Sequence, residues 1–320
     1  MAKPTVLMIT PMLPPIAAQL EERFDPLWLP GAPDREAVLA RAADMARGIG
    51  MFPSGGVDAA LMDRLGKLEI IAVAGAGYEG VDVPAAKARD ILVTNAPDAL
   101  TGEVADVAMA LIVMTVRRLA AADAYLRAGK WEAEGPMPIS PGSLRGGTLG
   151  ILGLGRIGRA VAHRAEAFGL KIAYHGRTRQ EDVAYAYHES PEALAEASDI
   201  LLAATPGGSE TRHIIGAGVL EKLGPKGYLV NIGRGSAVDE AALVAALEAG
   251  TIAGAGLDVY EEEPRVHPGL VAREDVVLLP HLASGSVPTR TAMGQAMVDN
   301  LAAWFDTGRP LSPIAEMARD

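Results

Sequence analysis

The feature that most constrains this chain is an alternation. Short apolar runs of four or five residues recur at 5–9, 48–51, 70–74, 91–94, 148–152, 171–174, 200–204, 228–232, 254–258 and 276–279. Between them lie Ala/Leu/Glu/Arg-rich stretches with helical spacing, such as 57–65, 157–168 and 240–249. Strands that are apolar without interruption are buried on both faces, so they belong in parallel sheets covered by helices on either side. The expected class is α/β with doubly wound, Rossmann-like parallel sheets. At 320 residues the chain exceeds one domain of roughly 100–200 residues. Loops rich in Pro and Gly at 135–147 and 265–273 punctuate it. A long helical pattern over 102–129 and another over 287–306 bracket the strands from 148 to 281. The economical architecture is one domain, 100–286, inserted into a smaller discontinuous domain of 1–99 and 287–320.

Composition removes several functional classes. There is no cysteine, which excludes disulfides, thiolate catalysis and cysteine zinc sites. The net charge of −11 argues against a nucleic-acid or anionic-membrane surface, because phosphate binding needs positive potential. No apolar run approaches the roughly 18–20 residues of a membrane span. The N-terminal apolar stretch is short and runs into Pro11, Pro14 and Pro15, so it reads as a first buried strand and not a signal peptide. A cytoplasmic location is expected.

The run Thr148–Leu152 leads into Gly153-Leu154-Gly155-Arg156-Ile157-Gly158 and then an amphipathic stretch. This is strand, G-x-G-x-x-G and helix in the order a dinucleotide requires. Gly153 makes the tight turn, Gly155 admits the pyrophosphate, and Gly158 lets helix pack on strand. The helix N-terminus faces the anion. About twenty residues on, an NAD site places a carboxylate on the ribose. Here the strand ends His175-Gly176-Arg177-Thr178-Arg179 with no carboxylate. Two arginines flanking a threonine suit a 2′-phosphate, so NADP(H) is expected over NAD(H), with NAD(H) still usable.

Three later stretches follow strand ends, where ligands bind in open α/β sheets. They are Asn231-Ile232-Gly233-Arg234-Gly235, Leu257-Asp258-Val-Tyr-Glu261-Glu262-Glu263-Pro264 and Pro280-His281. Histidine supplies a proton near neutral pH, a carboxylate fixes its tautomer, and arginine anchors a substrate carboxylate bidentately.

With these motifs the chain resembles the D-isomer-specific 2-hydroxyacid dehydrogenases over essentially its whole length. The resemblance implies that Arg234 is the catalytic arginine and that Glu263, immediately before the proline, is the catalytic glutamate. It makes His281 the acid/base. The spacings of 29 and 18 residues agree with the family. Segments 153–168, 223–227 and 280–286 are most similar to the NADPH-dependent glyoxylate/hydroxypyruvate reductases and to hydroxyphenylpyruvate reductases. By the same resemblance the amides of Ala76 and Gly77 hold the substrate carboxylate, and Asp258 holds the nicotinamide carboxamide. Thr205 and Pro206 pass the adenosine half, and Ile232, Gly233, Ser284 and Gly285 complete the cofactor set. Trp131 lies in an arm exchanged between subunits, which implies a homodimer through 102–147.

The loop 205–211, Thr-Pro-Gly-Gly-Ser-Glu-Thr, departs from the family's Pro-Leu-Thr-Pro-Glu-Thr. Met51 and Phe52 are candidates to line an apolar substrate pocket, with a buried strand end as the alternative. His163 and His213 read as structural, His267 as exposed, and His175 as facing the adenosine phosphate at most. No catalytic metal is expected. The activity implied is reduction of small 2-oxo acids to D-2-hydroxy acids. Phenylpyruvate, hydroxyphenylpyruvate or 2-ketogluconate reduction is the alternative, and an NAD-linked oxidant such as a phosphoglycerate, formate or phosphite dehydrogenase is a further rival. A dinucleotide-sensing, corepressor-like protein is the alternative of another class.

Overall fold

The computed structural model describes residues 3–317. The chain forms two compact units, one of Met1–Leu100 with Gly285–Asp320 and one of Thr101–Ser284.

The first unit holds a parallel sheet of β1 (Thr5–Met8), β2 (Asp25–Trp28), β3 (Ala46–Met51), β4 (Ile70–Val73) and β5 (Leu92–Thr94), in the order β2-β1-β3-β4-β5. β1 and β4 are buried at every position, as continuous apolar runs require. The second unit holds β6 (Thr148–Leu152), β7 (Lys171–His175), β8 (Ala186–Tyr187), β9 (Ile200–Ala203), β10 (Tyr228–Asn231), β11 (Gly254–Leu257) and β12 (Val276–Leu278). Their order is β12-β11-β10-β9-β6-β7-β8, again all parallel. The order reverses between β6 and β9, and this switch point is where an open α/β sheet receives its ligand. Short polar side chains start many of the helices: Asp34, Asp58, Asp82, Ser190, Asp239 and Ser286 each accept the amide three residues on. Each such cap contributes about 1 kcal/mol.

Two strands and one break differ from the sequence reading. β2 contains Asp25 and Pro26 and sits at the sheet edge, where proline's missing N–H is tolerated. β8 is an edge of only two residues. The helical pattern over 102–129 is not one helix. Arg118 adopts φ 53°, ending the helix Thr101–Arg117 and starting Leu119–Arg127. The first buries Val104, Ala108, Leu111 and Ile112 in its unit, whereas the second buries no residue. Leu119, Leu126, Trp131 and Ile139 are exposed along this segment. Among the described residues no helix is long and apolar enough to cross a membrane.

Candidate active site

The glycine loop leaves β6 and enters the helix Arg156–Ala167. Gly153 has φ 98°, the left-handed region. A Cβ on Gly158 would lie 2.3 Å from the Gly153 carbonyl oxygen, so only glycine lets helix and loop meet there. Gly155 is exposed and faces open space, and as N-cap it offers the helix no side-chain acceptor. The helix amides are left to an anion. Leu154 and Ile232 are buried, Ile157 and Gly233 lie beside them in the same turns, and Arg156 is exposed. Thr205 is 8% exposed, yet its hydroxyl has no partner among the described residues. An orphaned hydroxyl beside an open glycine cradle fits a dinucleotide. Pro206, next to it, is exposed.

Beyond β7, Arg177, Thr178 and Arg179 are exposed, and neither arginine has an ion-pair partner among the described residues. Gly176 is half-buried. His175 donates from Nδ1 to the His188 carbonyl at 2.8 Å, which ties it to its own sheet edge. Sequence reasoning missed the residues that hold this loop. Gln180 donates to the Leu154 carbonyl at 2.9 Å and accepts from Arg159. Arg159 is paired with Asp182 at 2.8 Å, a bond that holds the Asp182 carboxyl below its ordinary range. No signal in the linear pattern marks them, because their partners lie 21 to 26 residues away.

The three chemical motifs meet at the carboxyl ends of β10, β11 and β12. Asn231, fully buried, closes the turn after β10 by accepting from Gly233 N at 3.0 Å and donating to the Arg234 carbonyl at 2.9 Å. A Cβ on Gly235 would stand 1.9 Å from the Tyr260 backbone, which explains the glycine after the arginine. Arg234 is half-buried and donates to the Gly233 carbonyl at 2.8 Å. His281 Nδ1 lies 2.7 Å from Glu263 Oε2, and the other oxygen of Glu263 accepts from Tyr260 N at 3.0 Å. The three consecutive glutamates divide cleanly: Glu261 bonds His213 and Arg212, Glu262 pairs with Arg265 at 3.0 Å, and Glu263 takes His281. His213, read as merely structural, therefore has a carboxylate partner. His267, expected exposed, is half-buried and accepts from Gly269 N at 3.1 Å, starting a short helix.

Asp258 is 1% exposed. Its carboxylate accepts from the amides of Leu282 at 2.8 Å and Ala283 at 3.0 Å, and its carbonyl accepts from His281 N at 2.8 Å. Burial pushes its pKa up, while the two amide bonds oppose that shift. In this structure Asp258 is first of all the clamp on the His281 loop. Tyr260 donates to the Leu279 carbonyl at 2.7 Å, and burial pushes its phenol up to about 12.

In the other unit, Asn95 donates to the Ala76 carbonyl at 2.8 Å and fixes the loop after β4. The amides of Ala76 and Gly77 make no hydrogen bond to a described residue. Phe52 is half-buried at the end of β3. Met51 is fully buried in the core with Leu7, Ile49 and Val73, the buried strand end that the sequence left open as the alternative. Ser284 is half-buried and Gly285 exposed where the two units join in sequence. Among the described residues no group of three His, Asp or Glu stands ready for a metal.

A family profile described as "D-isomer specific 2-hydroxyacid dehydrogenase, NAD binding domain" matches residues 109–283. The chain belongs to the D-isomer-specific 2-hydroxyacid dehydrogenases. It is 44% identical over 309 residues to a glyoxylate/hydroxypyruvate reductase A of Arabidopsis thaliana, covering 97% of this chain and 98% of that one. It is also 44% identical over 306 residues to a hydroxyphenylpyruvate reductase of Plectranthus scutellarioides, covering 96% and 97%. A crystal structure of an NADPH-dependent glyoxylate/hydroxypyruvate reductase from Sinorhizobium meliloti, in complex with NADP and malonate, superposes with a TM-score of 0.93 at 49% identity, covering all of both chains. As a dehydrogenase of this family the chain is an oxidoreductase. Its two parallel-sheet α/β units are the family's architecture.

Proposed function

We propose that the protein is an NADPH-dependent reductase of small 2-oxo acids of the glyoxylate/hydroxypyruvate class, forming D-2-hydroxy acids. The observation that carries this reading is the His281–Glu263 pair at 2.7 Å, in the unit that also holds Arg234 and the glycine cradle. Arg177 and Arg179, exposed and without ion-pair partners among the described residues, support NADP(H) over NAD(H), because a ribose phosphate gives them the anion they lack. The cofactor, when bound, supplies hydride to the carbonyl carbon. His281, with Nδ1 on Glu263, presents Nε2 and gives its proton to the carbonyl oxygen. Glu263 stabilises the imidazolium and holds its orientation. Arg234 anchors the carboxylate through its fork of N–H donors.

The exposed Leu119, Leu126, Trp131 and Ile139 support a homodimer through 102–147, because they leave several large apolar side chains bare along one segment. A cytoplasmic setting accords with a chain without cysteine.

The test is NADPH oxidation at steady state with glyoxylate, hydroxypyruvate, phenylpyruvate and 2-ketogluconate in parallel, repeated with NADH. Efficient turnover of the two small acids with NADPH is expected. Preference for phenylpyruvate, or for NADH, refutes the corresponding half of the reading.

A further inference from the structure

His213 keeps a left-handed backbone, φ 52°, on the loop between β9 and the helix Ala217–Leu223. A non-glycine residue stays in that region only where its surroundings hold it. Two sets of bonds hold His213, and each leads to a loop that carries a motif residue. Its backbone reaches the arginine loop: His213 N donates to the Ser236 carbonyl at 2.8 Å, and Ile215 N to the Ala237 carbonyl at 2.9 Å, just past Arg234. Its side chain reaches the glutamate loop: His213 Nε2 donates to a carboxylate oxygen of Glu261, two residues before Glu263. All of these residues lie in one unit.

Glu261 is fixed from other sides as well. Arg212 lies 3.2 Å from the same oxygen. Glu261 N donates to the Glu240 carboxyl at 2.8 Å, and Glu240 N reaches the second oxygen of Glu261 at 3.4 Å. One end of the glutamate triplet is thus moored to His213 and to the start of the helix Glu240–Glu248, while the other end holds His281. Tyr260 N, just before the moored residue, donates to the remaining oxygen of Glu263 at 3.0 Å. The other charged group facing the ring is Asp239, 4.0 Å from Nδ1, and Glu262 and His267 act on Glu240 from further off.

We propose that His213 is a positioning residue for the reaction, whose ring holds Glu261 and, through it, the loop that presents Glu263 to His281. This rests on the reductase reading. Substitution removes the ring but keeps His213 N, so the arginine loop retains its bond while the glutamate loop loses one. Substrate anchoring by Arg234 and proton donation by His281 then separate.

The test uses the full chain, NADPH and glyoxylate, with kcat counted per NADPH-binding site and followed against pH. His213→Ala is expected to lower kcat by about 10–100-fold, the scale for a reacting group misplaced by up to about 1 Å, with KM for glyoxylate changed less than about threefold. The alkaline limb of kcat moves to lower pH, because a loosely held Glu263 stabilises the imidazolium less. His213→Gln, whose amide nitrogen can stand where Nε2 stood and needs no charge, restores kcat and the limb to within about threefold of wild type. Glu261→Ala lowers kcat as His213→Ala does, and the double variant is no worse than either single one. If His213→Ala does not fold, His213→Asn takes its place, since it tolerates the left-handed backbone but is too short to reach Glu261. An unmoved pH profile with an unchanged kcat per site, no rescue by Gln, or additive losses in the double variant overturns the proposal. If the wild type reduces no 2-oxo acid, the reductase reading itself falls, and the proposal with it.

Discussion

Replacing Asp258 by Asn isolates the clamp on the catalytic histidine. Asn preserves the shape but keeps one acceptor oxygen where the carboxylate had two, each engaged by a backbone amide at 2.8 or 3.0 Å. One of the amides of Leu282 and Ala283 then faces an NH2 group. Losing a hydrogen bond to a charged acceptor costs about 1.5–3 kcal/mol. Asn also removes the desolvation penalty that pushes the Asp258 pKa up, which offsets part of the loss. A net destabilisation of about 1–2 kcal/mol follows from those two opposing terms. The kinetic effect is larger. His281 sits at φ 50°, a left-handed backbone that costs a non-glycine residue about 1–2 kcal/mol. The Asp258 bonds on either side hold it there. With one bond gone the loop relaxes, and a shift of about 1 Å at a reacting group costs about 10²-fold in rate. The assay is guanidinium unfolding of the purified variant together with kcat for NADPH oxidation. A variant within about 0.5 kcal/mol of wild type that also keeps kcat within about threefold would refute the clamp, since surface-like substitutions behave that way.

Three further outcomes can be checked. Gly158→Ala forces a methyl against the Gly153 carbonyl and is expected to cost about 1–3 kcal/mol of stability and weaken dinucleotide affinity, read by thermal denaturation and NADPH fluorescence titration. Arg177→Ser with Arg179→Ser is expected to raise KM for NADPH by about tenfold or more while leaving KM for NADH nearly unchanged, as loss of charge-assisted phosphate contacts requires; equal effects on both cofactors count against the phosphate role. Burial raises the pKa of Glu240 above its ordinary 4.5, so the folded chain holds that proton more tightly than the unfolded one. Stability from this group is present below 4.5 and is lost as pH rises through the raised value. Glu240→Gln keeps the acceptor for Glu261 N and does not ionise, so its Tm relative to wild type should rise between pH 4 and pH 7.5; a flat or falling difference contradicts the sign.

Local chemistry carried much of this protein in its linear order. Strand–helix alternation is a backbone requirement, so ten of the runs could be read as strands before any contact was known. The glycines at 153 and 158 are demanded by a turn and a close approach that only they permit, and their spacing states the ligand class. The pairing of His281 with the third of three adjacent glutamates was implied by the family resemblance, which places the glutamate immediately before the proline.

Tertiary structure decided the rest, and the reason is distance along the chain. β2 and β8 exist because a neighbouring strand supplies their hydrogen bonds; their own residues argue against strand. The break at Arg118 lies in a residue with good helix propensity, where docking of the first helix face ends. Met51 went to the core because its neighbours on β1 and β4 close over it, which alternation alone does not reveal. The engagement of Glu261 by His213, 48 residues away, and the bare guanidinium of Arg290 against Phe52 are visible only in space. A sequence states which groups are available and in what local frame, whereas only packing settles which charges are left without a partner.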